Sequence, residues 1–326
     1  MNPTNVRLAI EISMSEQRPV FLWGSPGVGK SEIFRQIAAG NNKDLIDLRL
    51  SLLDSVDLRG IPTIIEGLTR WMRPSFLPTD GEGILFLDEM NLASQSVLSA
   101  AYQLILDRKL GDYTLPEKWY IAAAGNRETD GMNISHMPKA LASRFRHLEL
   151  EPDIESWVTW GIENGISVET LAFVRFRPDL LNRFNPKDKE RAFPNPRSWE
   201  YTDRLCQRTV PAQLLHEMLA GTIGESAAAE YMGFRRIFRS LPDRDAVIAD
   251  PMNAEVPTDP AVLFALSGSI AHVANNNNMD RICQYADRLP PEFSVLMIRD
   301  SVRNDPQTTK TKGYIAWTSR NKDILL

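Results

Sequence analysis

Gly24-Ser25-Pro26-Gly27-Val28-Gly29-Lys30-Ser31 is the stretch of sequence that decides the fold of this chain. It matches the P-loop pattern G-x-x-x-x-G-K-[ST] at every fixed position. The apolar residues 19–23 precede it and read as a buried strand, whereas residues 31–39 follow with apolar side chains at helical spacing. The order of strand, glycine-rich loop and helix predicts a loop that binds the phosphates of a nucleotide.

The residue types of this loop explain the predicted chemistry. Glycines let backbone N–H groups turn toward a phosphate chain, and the positive end of the following helix adds to the attraction. We expect the Lys30 ammonium to reach the β- and γ-phosphates and the Ser31 hydroxyl to hold Mg²⁺. All eight residues from Gly24 to Ser31 are therefore predicted to contact the nucleotide.

A second signal lies at residues 84–89, where four apolar residues run directly into Asp88 and Glu89. A continuous apolar run is typical of a parallel strand buried on both faces, and ligands of open α/β sheets bind at the carboxyl ends of such strands. We expect Asp88 to support Mg²⁺ and Glu89 to orient and activate the attacking water. Residues 119–125 predict another strand of this kind, so Asn126 after it is placed to bond that water or the γ-phosphate, although an asparagine there is also a common turn former.

Composition limits the function classes. The chain has 326 residues, 43% hydrophobic and 24% charged, which suits a globular protein of two domains. A net charge of −5 argues against a general nucleic-acid binder, which usually has a basic face. Cys206 and Cys283 lie far apart and favour reduced thiols in a cytoplasmic protein. We see no signal-peptide core, no apolar run long enough for a membrane span and no histidine pair with metal-ligand spacing.

The remaining elements of the first half follow from local patterns. Residues 45–50 and 146–150 predict two more strands, and residues 5–16 and 91–108 predict amphipathic helices. Two hairpins are also predicted, one with Glu66-Gly67 at its turn and one over residues 109–115.

Helical patterns dominate after Pro152. Asn195 is placed to cap a helix whose first turn contains Pro196 and Arg197. Residues 218–238 predict further helix with possible breaks at two glycines, residues 250–260 a long loop, and residues 261–300 two or three helices.

Aromatic and basic residues interleave at positions 173–177 and 234–239. These segments could contact nucleic acid or a partner protein. Arginines that extend along apolar neighbours are the favoured explanation.

Together these motifs resemble those of AAA+ ATPases, in the order and approximate spacing of that family. The P-loop is similar to Walker A, residues 87–89 to Walker B, residues 124–126 to sensor 1, and Ser143-Arg144-Phe145 to the arginine-finger segment. Residues 57–60 with 67–71, residues 88–93, residues 106–111 and residues 195–199 further resemble the MoxR group, whose lid helix carries a second sensor at the position of Arg197. Many MoxR members have Asp-Arg-Phe at the finger, so Arg146 is a rival to Arg144.

The resemblance implies a fold and a division of the chain. The expected fold class is α/β, a P-loop AAA+ domain whose five-stranded parallel sheet has helices on both faces, followed by an all-α lid and a C-terminal helical region. The expected boundaries are 1–152 for the nucleotide-binding domain, 153–240 for the lid and 241–326 for the extension. The implied catalytic residues are Glu89, Asn126, Arg144 and Arg197, with Ser31 and Asp88 as magnesium ligands.

The resemblance also implies a function, Mg²⁺-dependent ATP hydrolysis in a ring of identical subunits, a hexamer by family. Such rings remodel or activate protein clients, often with a partner that carries a von Willebrand factor A domain. Trp71, near the first hairpin, either projects into the pore of the ring or packs the hairpin onto the domain. A nucleic-acid motor is the alternative, but the two hairpins carry only Arg70 and Lys109 as basic residues, which favours a protein client. A scaffold that hardly turns over ATP is a third class, and the presence of Glu89 and Asn126 argues against it.

Overall fold

The computed structural model describes residues 1–130, 137–188 and 190–322. It divides into two compact units. The first contains Met1–Ser156 and a short segment that begins at Phe184, and the second contains Trp157–Arg183 and the chain from Glu190 onward. The predicted separation of residues 153–326 into a lid and an extension stays a prediction.

The first unit alternates strands and helices, as the sequence pattern predicts. Its elements are, in chain order, α1 (Pro3–Ser15), β1 (Val20–Trp23), α2 (Lys30–Gly40), β2 (Asp44–Arg49), α3 (Ser55–Arg59), β3 (Ile61–Ile65), β4 (Leu68–Met72), β5 (Gly83–Asp88), α4 (Gln95–Asp107), β6 (Lys109–Leu110), β7 (Tyr113–Thr114), β8 (Trp119–Gly125), α5 (Lys139–Ala142) and β9 (Arg146–Glu149).

Five of these strands form one parallel sheet in the order β2-β5-β8-β1-β9. Every residue of β5 and β8 is buried, which is why these central strands are continuous apolar runs rather than alternating ones. Because the strands are parallel, all their carboxyl ends lie at one edge of the sheet. The predicted sheet is therefore confirmed.

Each face of the sheet has its own hydrophobic core. Alternate residues of the strands pack with α1 and α2 on one face, where the rings of Phe34 and Phe86 are 4.4 Å apart. The other set packs with α3 and α4, and Phe21 and Phe145 belong to that second core. Helices thus cover both faces, as expected for an α/β domain.

The helix predicted from residue 91 begins later than expected. Its first residue is Gln95, and the Ser94 hydroxyl accepts a hydrogen bond from the backbone N–H of Val97. Residues 90–92 form a single 3₁₀ turn instead, because the backbone of Glu89 is left-handed, with φ of 53°. This turn directs the buried side chain of Asn91 toward the end of β8.

Strands β3 and β4 form the predicted hairpin outside the main sheet. Glu66 and Gly67 both have positive φ, 53° and 75°, which gives a two-residue turn of type I′. All ten strand residues are exposed, including Ile64 at 78%. The second hairpin, β6–β7, lies beside the first, since a side chain at Gly111 would come within 3.4 Å of the Trp71 Cβ.

The second unit is helical. Its helices are α6 (Ile154–Glu163, beginning at the boundary), α7 (Val168–Phe176), α8 (Pro196–Cys206), α9 (Ala212–Ile223), α10 (Glu225–Arg239), α11 (Arg244–Ala249), α12 (Pro260–His272), α13 (Met279–Ala286), α14 (Pro291–Asn304) and α15 (Lys312–Arg320). Gly224 separates α9 from α10 as predicted, whereas Gly221 lies inside α9.

Two arginines of the interleaved segments are buried in ion pairs within this unit. Arg175 pairs with Asp300, and their side chains are 6% and 8% exposed. Arg235 Nε donates to Glu169 at 3.0 Å. These two guanidinium groups hold helices together, which disfavours a nucleic-acid contact for Arg175 and Arg235, whereas Arg236 and Arg239 are exposed.

Cys206 and Cys283 are unpaired, as predicted, and burial raises the pKa of the Cys206 thiol to about 11 and that of Cys283 to about 12. Over the residues that the structure describes, no helix combines the length and apolarity needed to cross a bilayer.

Candidate functional site

The glycine-rich loop leaves β1 at the carboxyl edge of the sheet and ends at the start of α2. Gly27 and Gly29 have φ of 76° and 101°, a conformation that residues with a Cβ rarely adopt. Space is limited at Gly24 for a different reason, since a Cβ there would lie 3.0 Å from Val28 Cγ1 and 3.2 Å from the Leu150 carbonyl oxygen. The loop thus turns tightly, and α2 begins at Lys30 directly after it.

The Lys30 side chain folds back across the loop. Its ammonium donates to the Gly24 carbonyl at 2.7 Å, the Ser25 carbonyl at 3.1 Å and Asn126 Oδ1 at 2.9 Å. The cation therefore lies between the loop and the end of the neighbouring strand β8. This is the position from which it can meet the charge of a phosphate chain.

Ser31 and Asp88 meet beside this lysine. The Ser31 hydroxyl donates to Asp88 Oδ2 at 2.7 Å, and the other carboxylate oxygen accepts the backbone N–H of Glu89 at 2.9 Å. Asp88 is 6% exposed, and its negative charge affects Asp47 on the neighbouring strand β2. Burial and then the negative charge of Asp88 raise the pKa of Asp47 on β2 above its usual value.

The oxygens of Ser31 and Asp88 suit a magnesium ion that is held mainly by phosphate and water. Mg²⁺ prefers oxygen ligands and usually binds through one or two carboxylates together with substrate phosphates. No cluster of three or more His, Cys, Asp or Glu residues that could hold a metal occurs among the residues the structure describes. The oxygens of Ser31 and Asp88 fit a Mg²⁺ ion that arrives with a nucleotide.

Glu89 is held by a residue that the sequence did not single out. Its carboxylate accepts a hydrogen bond from the hydroxyl of Ser51, which lies in the 3₁₀ turn directly after β2. The backbone of Glu89 is left-handed, with φ of 53°. A non-glycine residue in this conformation is uncommon and marks a position under functional or structural constraint.

Asn91 is a second residue that the sequence argument missed. Its amide donates to the Asn126 carbonyl at 2.7 Å, and its Oδ1 accepts the Asn126 N–H at 3.2 Å. Asn91 is 3% exposed, and a Cβ at Gly125 would lie 2.3 Å from its Oδ1. The paired bonds fix the backbone of Asn126 and thus the side chain that contacts Lys30.

The two candidate finger arginines differ in their surroundings. Arg146 donates to the Ser13 hydroxyl and to Glu16, both at 2.7 Å, so α1 holds its guanidinium. Arg144 is exposed, and its side chain makes no hydrogen bond or ion pair with any described residue. Arg144 is therefore the one available to an external anion.

Arg197 is exposed in the first turn of α8, where Asn195 Oδ1 accepts the Ser198 N–H at 3.0 Å. The predicted cap is thus confirmed. Arg197 belongs to the second compact unit, and its role as a second sensor stays a prediction.

Comparisons with known proteins agree with this geometry. A family model described as "AAA domain (dynein-related subfamily)" matches residues 19–145. Midasin from Giardia intestinalis is 30% identical over 173 residues, which cover 50% of this chain and 4% of that protein. Midasin from Dictyostelium discoideum is 30% identical over 167 residues, 46% of this chain and 3% of that protein. The matched segments are thus a small fraction of these relatives.

Solved structures show only distant likeness. NtrX from Brucella abortus in complex with ADP has a TM-score of 0.44 and 14% identity, covering 99% of this chain and 68% of that chain. A RuvB mutant from Thermotoga maritima has a TM-score of 0.41 and 19% identity, with coverages of 81% and 79%. The sequence match and the P-loop geometry identify residues 19–145 as an AAA+ ATPase domain. The MoxR subgroup stays a prediction.

We expect Asn91→Asp to destabilise the protein by about 1–3 kcal/mol, because a carboxylate oxygen would face the buried Asn126 carbonyl and leave that acceptor unpaired. Urea unfolding measures the free energy. The matched control is Asn41→Asp, whose amide also donates to a carbonyl, that of Ile37, but at an exposed position where water can substitute. The control should cost less than about 1 kcal/mol. Equal losses for both variants would contradict the role of Asn91.

Proposed function

We propose that this protein binds ATP with Mg²⁺ and hydrolyses it within a ring of identical subunits of the MoxR type. The observation that carries the proposal is the convergence of five side chains at the carboxyl edge of the sheet, namely Lys30, Ser31, Asp88, Glu89 and Asn126. They come from three places in the chain, namely the start of α2, the end of β5 and the end of β8. Lys30 bonds to Asn126 and Ser31 bonds to Asp88, whereas the Glu89 carboxylate bonds to Ser51.

The loop residues divide the work of binding. The N–H groups of residues 27–31 would surround the phosphates, and Lys30 would exchange its carbonyl partners for phosphate oxygens. Ser31 and Asp88 would hold Mg²⁺, which supplies charge neutralisation at the β- and γ-phosphates. Catalysis in such a site rests on positioning and electrostatic stabilisation.

Glu89 and Asn126 would act on the water. Glu89 accepts its proton and Asn126 directs it toward the γ-phosphate. The Ser51 hydroxyl bonds one oxygen of the Glu89 carboxylate, so the other oxygen is the one that would accept the proton from water.

The exposed position of Arg144 supports the proposal of a ring of identical subunits. An exposed guanidinium on the segment between α5 and β9 is available to the nucleotide of a neighbouring subunit, where it would stabilise charge in the transition state. By resemblance to the MoxR group the ring is a hexamer, and Arg197 is the second sensor.

The client is proposed to be a protein. The exposed apolar side chains of the β3–β4 hairpin favour a polypeptide over nucleic acid, since basic residues on the two hairpins are few. Trp71 lies against Gly111, and the backbone N–H of Trp71 donates to the Asp112 carboxylate at 3.3 Å. These contacts favour the alternative in which Trp71 packs the hairpin onto the domain. A partner with a von Willebrand factor A domain and a cytoplasmic location follow from the family resemblance and from the unpaired cysteines.

We expect Lys30→Ala to lose most of its affinity for ATP, because the substitution removes the cation that faces the phosphates. We expect Glu89→Gln to bind ATP normally but to hydrolyse it at least ~100-fold more slowly, which is the scale expected for the loss of a general base. Calorimetric titration measures binding and phosphate release measures turnover. Unchanged affinity in Lys30→Ala would remove the P-loop assignment. Unchanged turnover in Glu89→Gln, with ATP bound, would remove the assignment of the base.

We expect Arg144→Ala to bind ATP but hydrolyse it ~10³-fold or more slowly, as for other arginine fingers. Mixing it with Lys30→Ala subunits should restore part of the activity, because the latter donate an intact Arg144 to an intact P-loop. The control is Arg146→Ala. This variant should lower the melting temperature, because it loses the bonds to Ser13 and Glu16, and should leave kcat unchanged. Mixed rings that recover no activity would show that Arg144 does not act across subunits.

We expect an unfolded probe protein, casein, to stimulate the ATPase more than single-stranded DNA does. Ile64→Ser should weaken the apparent affinity for casein ~10-fold, because burying an isoleucine side chain contributes about 1.5–3 kcal/mol. Leu8→Ser, at an exposed leucine on α1, is the matched control and should change neither basal nor stimulated rate. Stimulation by DNA alone would favour the motor alternative.

A further inference from the structure

Four aromatic rings join the strand before the P-loop to the strand after Arg144. Strands β1 and β9 are parallel neighbours with Phe21 opposite His147, and Trp23 lies two residues further along the same face. The ring centroids of Phe21 and Trp23 are 4.2 Å apart, and those of Trp23 and His147 are 6.0 Å apart at an angle of 21°. Phe145 meets Phe21 edge to face at 5.5 Å.

Both ring nitrogens of His147 are engaged. The indole N–H of Trp23 lies 2.9 Å from Nδ1, and Nε2 lies 2.9 Å from the Ala142 carbonyl oxygen. An indole nitrogen can only donate and a carbonyl can only accept, so Nδ1 is the acceptor and Nε2 carries the proton. The contacts thus select one neutral tautomer of the imidazole and fix the plane of its ring.

The carbonyl that His147 bonds belongs to the turn that carries Arg144. The same oxygen accepts the N–H of Phe145 at 3.1 Å, and the Arg144 N–H donates to the Leu141 carbonyl at 2.9 Å. Phe145 is 3% exposed in the core of the sheet. The exposed Arg144 side chain therefore projects from a turn that Phe145 anchors in the core and that His147 holds through the Ala142 carbonyl.

Trp23 is the last residue of β1 and directly precedes Gly24 of the P-loop. It also pairs with Gly125, which precedes Asn126. A displacement of the P-loop strand would therefore be transmitted through the indole to His147 and from there to the Arg144 turn.

We propose that His147 is a positioning residue for Arg144. The path Trp23–His147–Ala142 fixes the direction in which Arg144 is presented to the neighbouring subunit. The proposal rests on the proposed function of Arg144 across subunits. It predicts that loss of His147 impairs donation of the arginine and leaves ATP binding by the same subunit intact.

The test measures donation separately from binding. Arg144→Ala subunits, which need an external arginine, are mixed with Lys30→Ala subunits, which donate one but cannot use their own P-loop. The donor is then replaced by the double variant Lys30→Ala/His147→Phe, which keeps an aromatic ring but loses both ring hydrogen bonds. We expect the double variant to restore at least ~10-fold less activity, because misplacing a catalytic group by about 1 Å can cost up to ~10²-fold.

Replacing His147 by glutamine distinguishes a loss of the hydrogen bond to Ala142 from a loss of packing. His147→Gln in the Lys30→Ala donor keeps an N–H near the Ala142 carbonyl and should recover activity relative to His147→Phe. Trp23→Phe in the same donor removes the indole N–H but retains a ring, and it should lower donation as well. In otherwise unaltered protein, His147→Phe should reduce kcat and leave the KM for ATP within about twofold, as expected for a transition-state effect.

The outcomes separate this proposal from the one on which it depends. If Lys30→Ala subunits restore activity and both the His147→Phe and the Trp23→Phe donors restore it equally in rings seen by native mass spectrometry, the positioning role is wrong. If Lys30→Ala subunits restore nothing in demonstrated mixed rings, the action of Arg144 across subunits is wrong, and the positioning role falls with it. If His147→Phe subunits do not fold, the result with Trp23→Phe decides.

Discussion

The Lys30 ammonium bonds simultaneously to the loop before it and to the end of β8, and the site depends on this one cation. Its contacts with Gly24, Ser25 and Asn126 require that β1 and β8 be neighbours in the sheet. A cation of this kind also neutralises the partial negative charge of carbonyls that point inward from a tight turn. When phosphate replaces those carbonyls, the charge is already in place, and little reorganisation is needed.

Gly27, Gly29 and Asn91 all help to keep the Lys30 ammonium in this position. Gly27 and Gly29 let the loop close around the cation, while Asn91 fixes the backbone of Asn126 from the other side. Removal of Asn91 would therefore affect Lys30 through an intermediate residue. Ser51 has a corresponding role for Glu89, since its hydroxyl donates a hydrogen bond to the Glu89 carboxylate.

Sequence patterns predicted the sheet and the phosphate loop because each rests on local chemistry. Buried parallel strands are continuous apolar runs, and the loop needs fixed glycines followed by Lys30 and Ser31. Ser51 and Asn91 escaped prediction because their partners lie 38 and 35 residues away, and a single polar residue has no periodicity that shows where it points. The start of α4 was misplaced for a related reason, since the left-handed backbone of Glu89 depends on tertiary contacts. The partners of Arg146 and Arg175 likewise became apparent only from the fold.

The β3–β4 hairpin has a consequence for how it can meet another chain. Because the Trp71 N–H bonds to Asp112, Trp71 and Pro62 form a pair whose amide positions face away from the partner strand. On the outer edge of β3 that position is occupied by proline, which has no N–H, and on β4 the donor is already used. An incoming strand would therefore find one donor lacking on β3 and one already used on β4, which disfavours extension of this sheet at that position. The proposed recognition of a protein client would therefore rely on side-chain shape and apolar area, which tolerates many client sequences.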